Sequence, residues 1–372
     1  MAGADLIDVH CHGVYPGDLG LGSFEAWLPG AAAPGTTLFD SPTGFALRRW
    51  CPPLLGLEPH CPPARYLARR RELGAYEATR LLLRGMDVAA YVMDTGEPGD
   101  LTPPKELAAT TGAPVLETVR LEPLAQQVAD TSGTVDGFLA NLAEAVHGAA
   151  LGVAGFSCAG GRAFRADGCA GREEDVGDAR PPGPVEVRRA AATWLGDRAV
   201  GSRPEDPVLL RHLRWHAVAT GLPLLLRHPS GGDGPRAAES FLRATTGLGT
   251  DVILLPGRCH ERAAAHLAAE LPHVYVGVGG DPSRVLARTP FGKVLYASGA
   301  DGLPELAVTS AREFLADLGR LVDGRVRAGE WSTGDGHRVT SLVTAENARR
   351  LFPSAGRPEV GPAEVGPSWV RR

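Results

Sequence analysis

An eight-stranded parallel barrel, (β/α)8, is the fold this sequence predicts. Two observations lead there. Short apolar, β-branched runs alternate with helical patterns from one end of the chain to the other, and there are eight such runs, each followed by helix-like sequence. A chain of 372 residues is long for one domain, but barrels of this kind run past about 250 residues when they carry insertions.

The first run, 6–9, ends in His10-Cys11-His12-Gly13. A Gly- and Pro-rich segment follows over 14–62, too long for an ordinary loop and read as a functional insertion or lid. A strong helical pattern covers 66–83. The second strand is predicted at 88–93, ending in Asp94-Thr95-Gly96, with a short helix over 103–111. The third strand is placed at 115–121, with Arg120 and Glu122 sharing a face near its end, and helix follows over 124–149. The fourth strand is 152–157. Residues 160–186 are rich in Gly, Asp and Arg and stop at Pro181-Pro182-Gly183-Pro184, the pattern of a mobile loop. Helical stretches at 185–195 and 207–220 lead to evenly spaced strands at 222–227, 252–255, 274–278 and 294–297. Helices at 260–270, 305–322 and 344–351 complete the pattern. One barrel over 1–352 is therefore expected, with a disordered Pro/Gly tail over 353–372.

Composition narrows the function classes. Hydrophobic residues make up 44% and charged residues 22%, an ordinary globular balance. The formal net charge is −5 without a long basic run, which argues against nucleic acid and anionic membranes as partners. No apolar stretch reaches the roughly 18 residues of a membrane span. The N-terminus lacks the pattern of a secretion signal, so a cytoplasmic protein is expected. The 6 cysteines form no CxxC pair. Cys51, His60 and Cys61 lie close together but lack the second pair that a structural zinc site needs. A small-molecule substrate or ligand is the expected partner, with homo-oligomerisation left open.

In a barrel, chemistry gathers at the C-terminal ends of the strands. Residues two apart on a strand project from one face, so His10 and His12 can converge on one ion at about 2.0–2.1 Å. The plainer alternative is two polar residues lining the mouth without metal.

The chain to about residue 352 also resembles a branch of the amidohydrolase-related family, which includes the barrel domain fused to glutamine-synthetase-like proteins. The matching stretches are DVHCHG (8–13), GTTLFDSPTGFALRRWC (35–51), YLARRRELG (66–74), DTG (94–96), ETVRLE (117–122), LPHVYVGVG (271–279), FGKVLYAS (291–298), GLPEL (302–306) and ENARRLF (346–352). This resemblance implies a metal-dependent hydrolase-like (β/α)8 TIM barrel. It also exposes departures. A bridging lysine is expected where Ser157 stands, a strand-five histidine at Arg227, a strand-six histidine at Pro256 and a catalytic aspartate at Gly299. His228 replaces the missing strand-five ligand only if the strand bulges or shifts register. Asp301 keeps the face of Gly299 but lies about 6.6 Å further toward the mouth.

Three functions are compatible with these residues. The leading one is hydrolysis of a C–N bond, amide or amidine, with at most one divalent ion, zinc or manganese. His10 and His12, with His228 as third ligand, would hold the ion, and Asp301 or His228 would take the proton of its water. Arg227, Arg120 and Glu122 would bind substrate. The second is a metal-independent lyase or decarboxylase, and the third a non-catalytic binder that has lost the metal site.

Overall fold

The computed structural model describes residues 5–96, 100–160 and 179–356. Eight strands form one parallel sheet in chain order: β1 (Leu6–Cys11), β2 (Val88–Asp94), β3 (Val115–Arg120), β4 (Gly155–Ala159), β5 (Leu224–His228), β6 (Val252–Pro256), β7 (Val274–Val278) and β8 (Val294–Tyr296). The sheet closes on itself just beyond β8. Gly299 N–H donates to the His10 carbonyl and His12 N–H to the Ala300 carbonyl, both at 2.8 Å.

The helices are α1 (Leu21–Glu25), α2 (Pro42–Leu54), α3 (Pro63–Leu73), α4 (Ala75–Arg84), α5 (Pro104–Thr111), α6 (Leu121–Thr131), α7 (Val135–Ala150), α8 (Pro184–Asp197) and α9 (Pro207–Ala219). After them come α10 (Glu239–Ala244), α11 (Glu261–Glu270), α12 (Ser283–Leu286), α13 (Pro304–Arg327), α14 (Thr333–Ser341) and α15 (Asn347–Leu351). Among the described residues no helix is long and apolar enough to cross a membrane.

The predicted helix at 66–83 is two helices, because Gly74 takes a φ of 77° between α3 and α4. The stretch at 124–149 divides likewise between α6 and α7, where Thr134 caps the second helix by accepting from Gly137 N–H. The segment 14–62 is not irregular throughout, since it holds α1, α2 and a 3-10 turn at Leu38–Asp40. Phe24 stacks on Phe39 at 5.4 Å. Buried Glu305, in the first turn of α13, accepts from the Tyr66 hydroxyl at 2.6 Å and pairs with Arg70 at 2.9 Å. That pairing ties the helices after the insertion to the end of the barrel. Of the predicted mobile loop and tail, 161–178 and 357–372 lie outside the described residues.

Two apolar layers build the core. The inner one holds Ile7, Val9, Val92, Leu225, Ile253 and Leu295, and it continues into Ala345, Leu351 and Phe352. The last helical turns among the described residues thus plug the barrel at the N-terminal ends of its strands. Asn347 fixes the plug, donating from Nδ2 to the carbonyls of Phe291 and Val294. The outer layer packs the helices on the sheet.

Candidate functional site

The first-strand motif owes its geometry to a bulge. Asp8 pairs with Tyr91 and Cys11 with Met93, so the path from Asp8 to Cys11 is one residue longer on β1 than its counterpart on β2. Val9 packs into the barrel interior and Cys11 into the outer layer, its thiol toward the Val92 carbonyl, while His10 and His12 line a cavity at the mouth. The two rings meet edge to face with centroids 4.9 Å apart. His12 Nδ1 lies 3.0 Å from the Asp94 carbonyl, which only accepts, so Nδ1 is the donor of that pair. His10 has no hydrogen-bond partner at its buried Nδ1. Burial, with His12 next to it and Arg227 and Arg120 further off, pulls its pKa down to about 3 against the pull of Asp94, so the imidazole is neutral at physiological pH.

Beside the histidines lies a polar network that the sequence reading missed. The Asp94 carboxylate takes Arg120 Nε and Nη2 on Oδ2 at 3.2 and 3.0 Å, the Ser157 hydroxyl on the same oxygen at 2.6 Å, and Gly96 N–H on Oδ1 at 2.8 Å. Burial works to raise its pKa, but His10, Arg120, His12 and the Ser157 bond outweigh it and hold the carboxyl well below the usual range. The expected lysine position thus carries a hydroxyl that serves this carboxylate. Gly96 is required by close approach, because a Cβ there would stand 2.2 Å from Arg120 Cβ.

Arg120 and Glu122 do not share a strand face, contrary to expectation. β3 ends at Arg120 and α6 begins at Leu121, so Glu122 belongs to a first helical turn and strand parity does not reach it. Both are buried behind the cavity wall. Glu122 Oε1 accepts from Ala159 N–H at 2.6 Å and sits 3.6 Å from Arg227.

Strand five keeps its ungapped register. Arg227 pairs with Ala159 and Leu255, and His228 with Pro256, with no bulge on β5. Arg227 lines the cavity; its guanidinium has the loose contact to Glu122, and its buried Nε is unpartnered. His228 is wholly buried, donates from Nδ1 to the Asp233 carbonyl at 3.1 Å, and packs so tightly on Gly160 that a Cβ there would lie 2.1 Å from its ring. Burial carries its pKa down to about 3, the Asp233 bond opposing and Arg214 and His260 adding to it. Its Nε2 has no partner.

The other substituted positions are equally clear. Pro256 lines the cavity, and His260 ends the short turn before α11, bonded to the Gly232 carbonyl. Gly299 lines the cavity at φ +59°, with open space where a Cβ would project. Asp301 lies outside this cavity, in a narrow crevice shared with Cys11, His12 and Leu107.

The cavity measures about 730 Å³. Its lining includes His10, His12, Arg227 and Gly299 and, from the turn before α11, from α11 and from α13, Arg258, Glu261, Ser310 and Glu313. Trp27, from the insertion, forms part of the wall. Glu261 directly follows the loop after β6, a position where barrel chemistry is expected, so it was open to sequence reasoning. Nothing in the sequence marks Trp27 or Glu313.

His10 and His12 could supply two imidazole nitrogens to a metal ion. Among the described residues no group of three His, Cys, Asp or Glu side chains is arranged to hold an ion. The pair fits one ion whose other ligands come from water or substrate, and nothing in the donor set fits a second.

No family model matches the chain, and no curated protein matches it. Solved structures do. One from Lactobacillus casei ATCC 334, provisionally described as a metal-dependent hydrolase, shares 19% identity at a TM-score of 0.77, over 95% of this chain and 97% of that one. Uronate isomerase from Thermotoga maritima shares 13% at a TM-score of 0.63, with 94% of each chain covered. Glucuronate isomerase from Caulobacter crescentus shares 13% at a TM-score of 0.52, over 95% of this chain and 92% of that one. At these identities the likeness speaks for the fold: the chain has the (β/α)8 barrel on which metal-dependent hydrolases and uronate isomerases are built.

Proposed function

We propose that the barrel mouth is the active site of an amidohydrolase-like enzyme that hydrolyses a C–N bond, amide or amidine, in a small anionic molecule, with at most one divalent ion. The observation that carries this reading is the meeting of His10, His12 and Arg227 on one cavity. Its volume of about 730 Å³ falls among those of small-molecule sites. The name given to the Lactobacillus casei structure agrees with a hydrolase.

His10 and His12 would hold the ion, zinc or manganese, which when bound lowers the pKa of a coordinated water. The remaining roles belong to the chain. Arg227 grips a substrate carboxylate with its paired N–H groups. Asp94 orients His12 through its carbonyl, and Arg120, Ser157 and Gly96 pin the carboxylate of that same residue. Glu122 steadies Arg227 from behind. For the proton acceptor the cavity offers His228, which borders it and has no partner at Nε2, whereas Asp301, the other acceptor expected from the sequence, lies outside it in the neighbouring crevice. With β5 in its ungapped register and no group of three ligating side chains among the described residues, His228 does not add the third ligand expected of it.

Elemental analysis of dialysed protein, followed by turnover of a panel of N-acyl and amidine carboxylates, tests this. We expect no more than one ion per chain, and activity lost in His10→Ala and His12→Ala. Two ions per chain, or turnover that survives the double variant, would overturn it. The guanidiniums near His10 favour a second reading, a metal-independent lyase or a binder, because like charge weakens cation binding. Turnover that persists in chelator would select the lyase, and binding without turnover would select the binder.

A further inference from the structure

We infer that the ligand of this cavity is zwitterionic, with a carboxylate at one end and an amine, guanidinium or amidinium group at the other. The inference rests on the reading above for the carboxylate, which stays on Arg227, and adds the cation. Its ground is the acidic part of the same cavity's lining. There Glu261, at the start of α11, and Glu313, on α13, both line the wall. Glu261 is 9% exposed. Among the described residues neither carboxylate has a hydrogen bond or an ion pair.

Arg258 shares this wall and draws both acids' pKa downward, but it forms an ion pair with neither. One guanidinium beside two carboxylates leaves negative charge in excess. Around Glu261, Arg284 and Asp281 act in opposite senses and leave that excess in place. Burial is the main influence on both acids and raises their pKa, as it does for carboxylates that lack a counter-charge. A first-turn glutamate complements the helix dipole, which accounts for the residue type at position 261. It does not account for a second carboxylate, Glu313, on the same cavity lining.

Other residues of the same lining supply an independent observation. His10 is 7% exposed, lines the cavity, and has no partner at its buried Nδ1. Arg227 brings five N–H donors whose nearest acceptor, on Glu122, lies at 3.6 Å. A permanent cation and two carboxylates therefore line one space. A simple monocarboxylate would answer the cation and leave the two carboxylates without a counter-charge from the ligand. An amino or guanidino carboxylate answers both, and the guanidino group carries an amidine-type C–N bond of the kind the proposed reaction cleaves.

Isothermal titration with guanidinoacetate, γ-guanidinobutyrate and ε-guanidinocaproate, against butyrate and butylguanidinium as single-ended controls, tests the inference on the intact protein. At least one bifunctional probe should bind about tenfold or more tighter than butyrate. Glu261→Gln, which keeps the shape, should return that probe to the level of butyrate while butyrate itself binds as before, which also shows that the variant is folded. Glu313→Gln should lose less, because Glu313 is the more exposed of the two. Arg227→Gln should weaken butyrate and bifunctional probes alike. If butyrate binds through Arg227 and no bifunctional probe binds tighter, the cationic end is wrong and the carboxylate reading stands. If no carboxylate binds and Arg227→Gln changes nothing, the reading itself falls and the zwitterion with it.

Discussion

Arg227 puts a permanent cation on the wall that His10 and His12 share, at the strand-five position where the family resemblance expects an imidazole. Guanidinium cannot ligate a metal, and it repels one. Arg227→His should therefore raise zinc or manganese affinity by about tenfold or more, since it removes the repulsion and adds a third nitrogen. Titration with either ion reads this directly, and unchanged or lower affinity would point to His228 as the working ligand. Gly299→Asp should act in the same direction, because the space beside Gly299 is open and aspartate tolerates positive φ better than most residues. On the outer surface, His212 and His216 on α9 set their Nε2 atoms 3.1 Å apart. Burial and then His216 pull the His212 pKa down to about 4 from 6.5. Between those values the unfolded chain holds the proton and the folded one does not, so this residue makes stability fall as pH drops from 6.5 toward 4 and adds nothing above that window. His212→Gln should flatten that part of the urea-denaturation profile; an unaltered slope would show that the pair does not titrate as described.

At the scale of elements, the residues that come together were only partly legible. The eight strands stand where apolar β-branched runs were found, since fully buried parallel strands leave that trace in a sequence. The inward aim of His10 and His12 was also foreseen, but by strand alternation alone, whereas the structure reaches it through a bulge that lets Val9 face inward as well. No residue type announces a bulge there. Arg120 and Glu122 were misplaced because α6 starts directly after β3, with no loop to signal the change of period from two to 3.6. Ser157 was read as the loss of a lysine; that its hydroxyl would serve Asp94 depends on three strands lying side by side. The DTG stretch gains a cause, since Gly96 lets the β2 end press against the Arg120 stem. Gly96→Ala should cost about 1–3 kcal/mol by overpacking, measured by denaturant unfolding. Stability equal to the wild type would show that this contact is looser than the geometry requires.

For the molecule as a whole, the barrel interior and its C-terminal plug are one apolar body. Phe352 packs with the strand residues Ile7, Val92 and Leu295 although it lies beyond the last helix. Phe352→Ala should then cost about 3–5 kcal/mol, as for any large aromatic removed from a core. A loss under about 1 kcal/mol, in the range of surface substitutions, would mean that the plug is peripheral to the fold. The ENARRLF stretch was visible as a match but not as a plug, because the carbonyls that Asn347 holds belong to the approach to β8, far away in sequence. The closure of the sheet has a consequence in time. His10 and His12 are bonded to Gly299 and Ala300, and Asp8 to Ser298, across 290 residues of chain. During synthesis the histidine motif leaves the ribosome long before β8 is made, and its strand keeps one open edge until the eighth strand follows. The nascent chain carries the chemistry of its site without the site, which comes into being only when β1 and the segment after β8 meet.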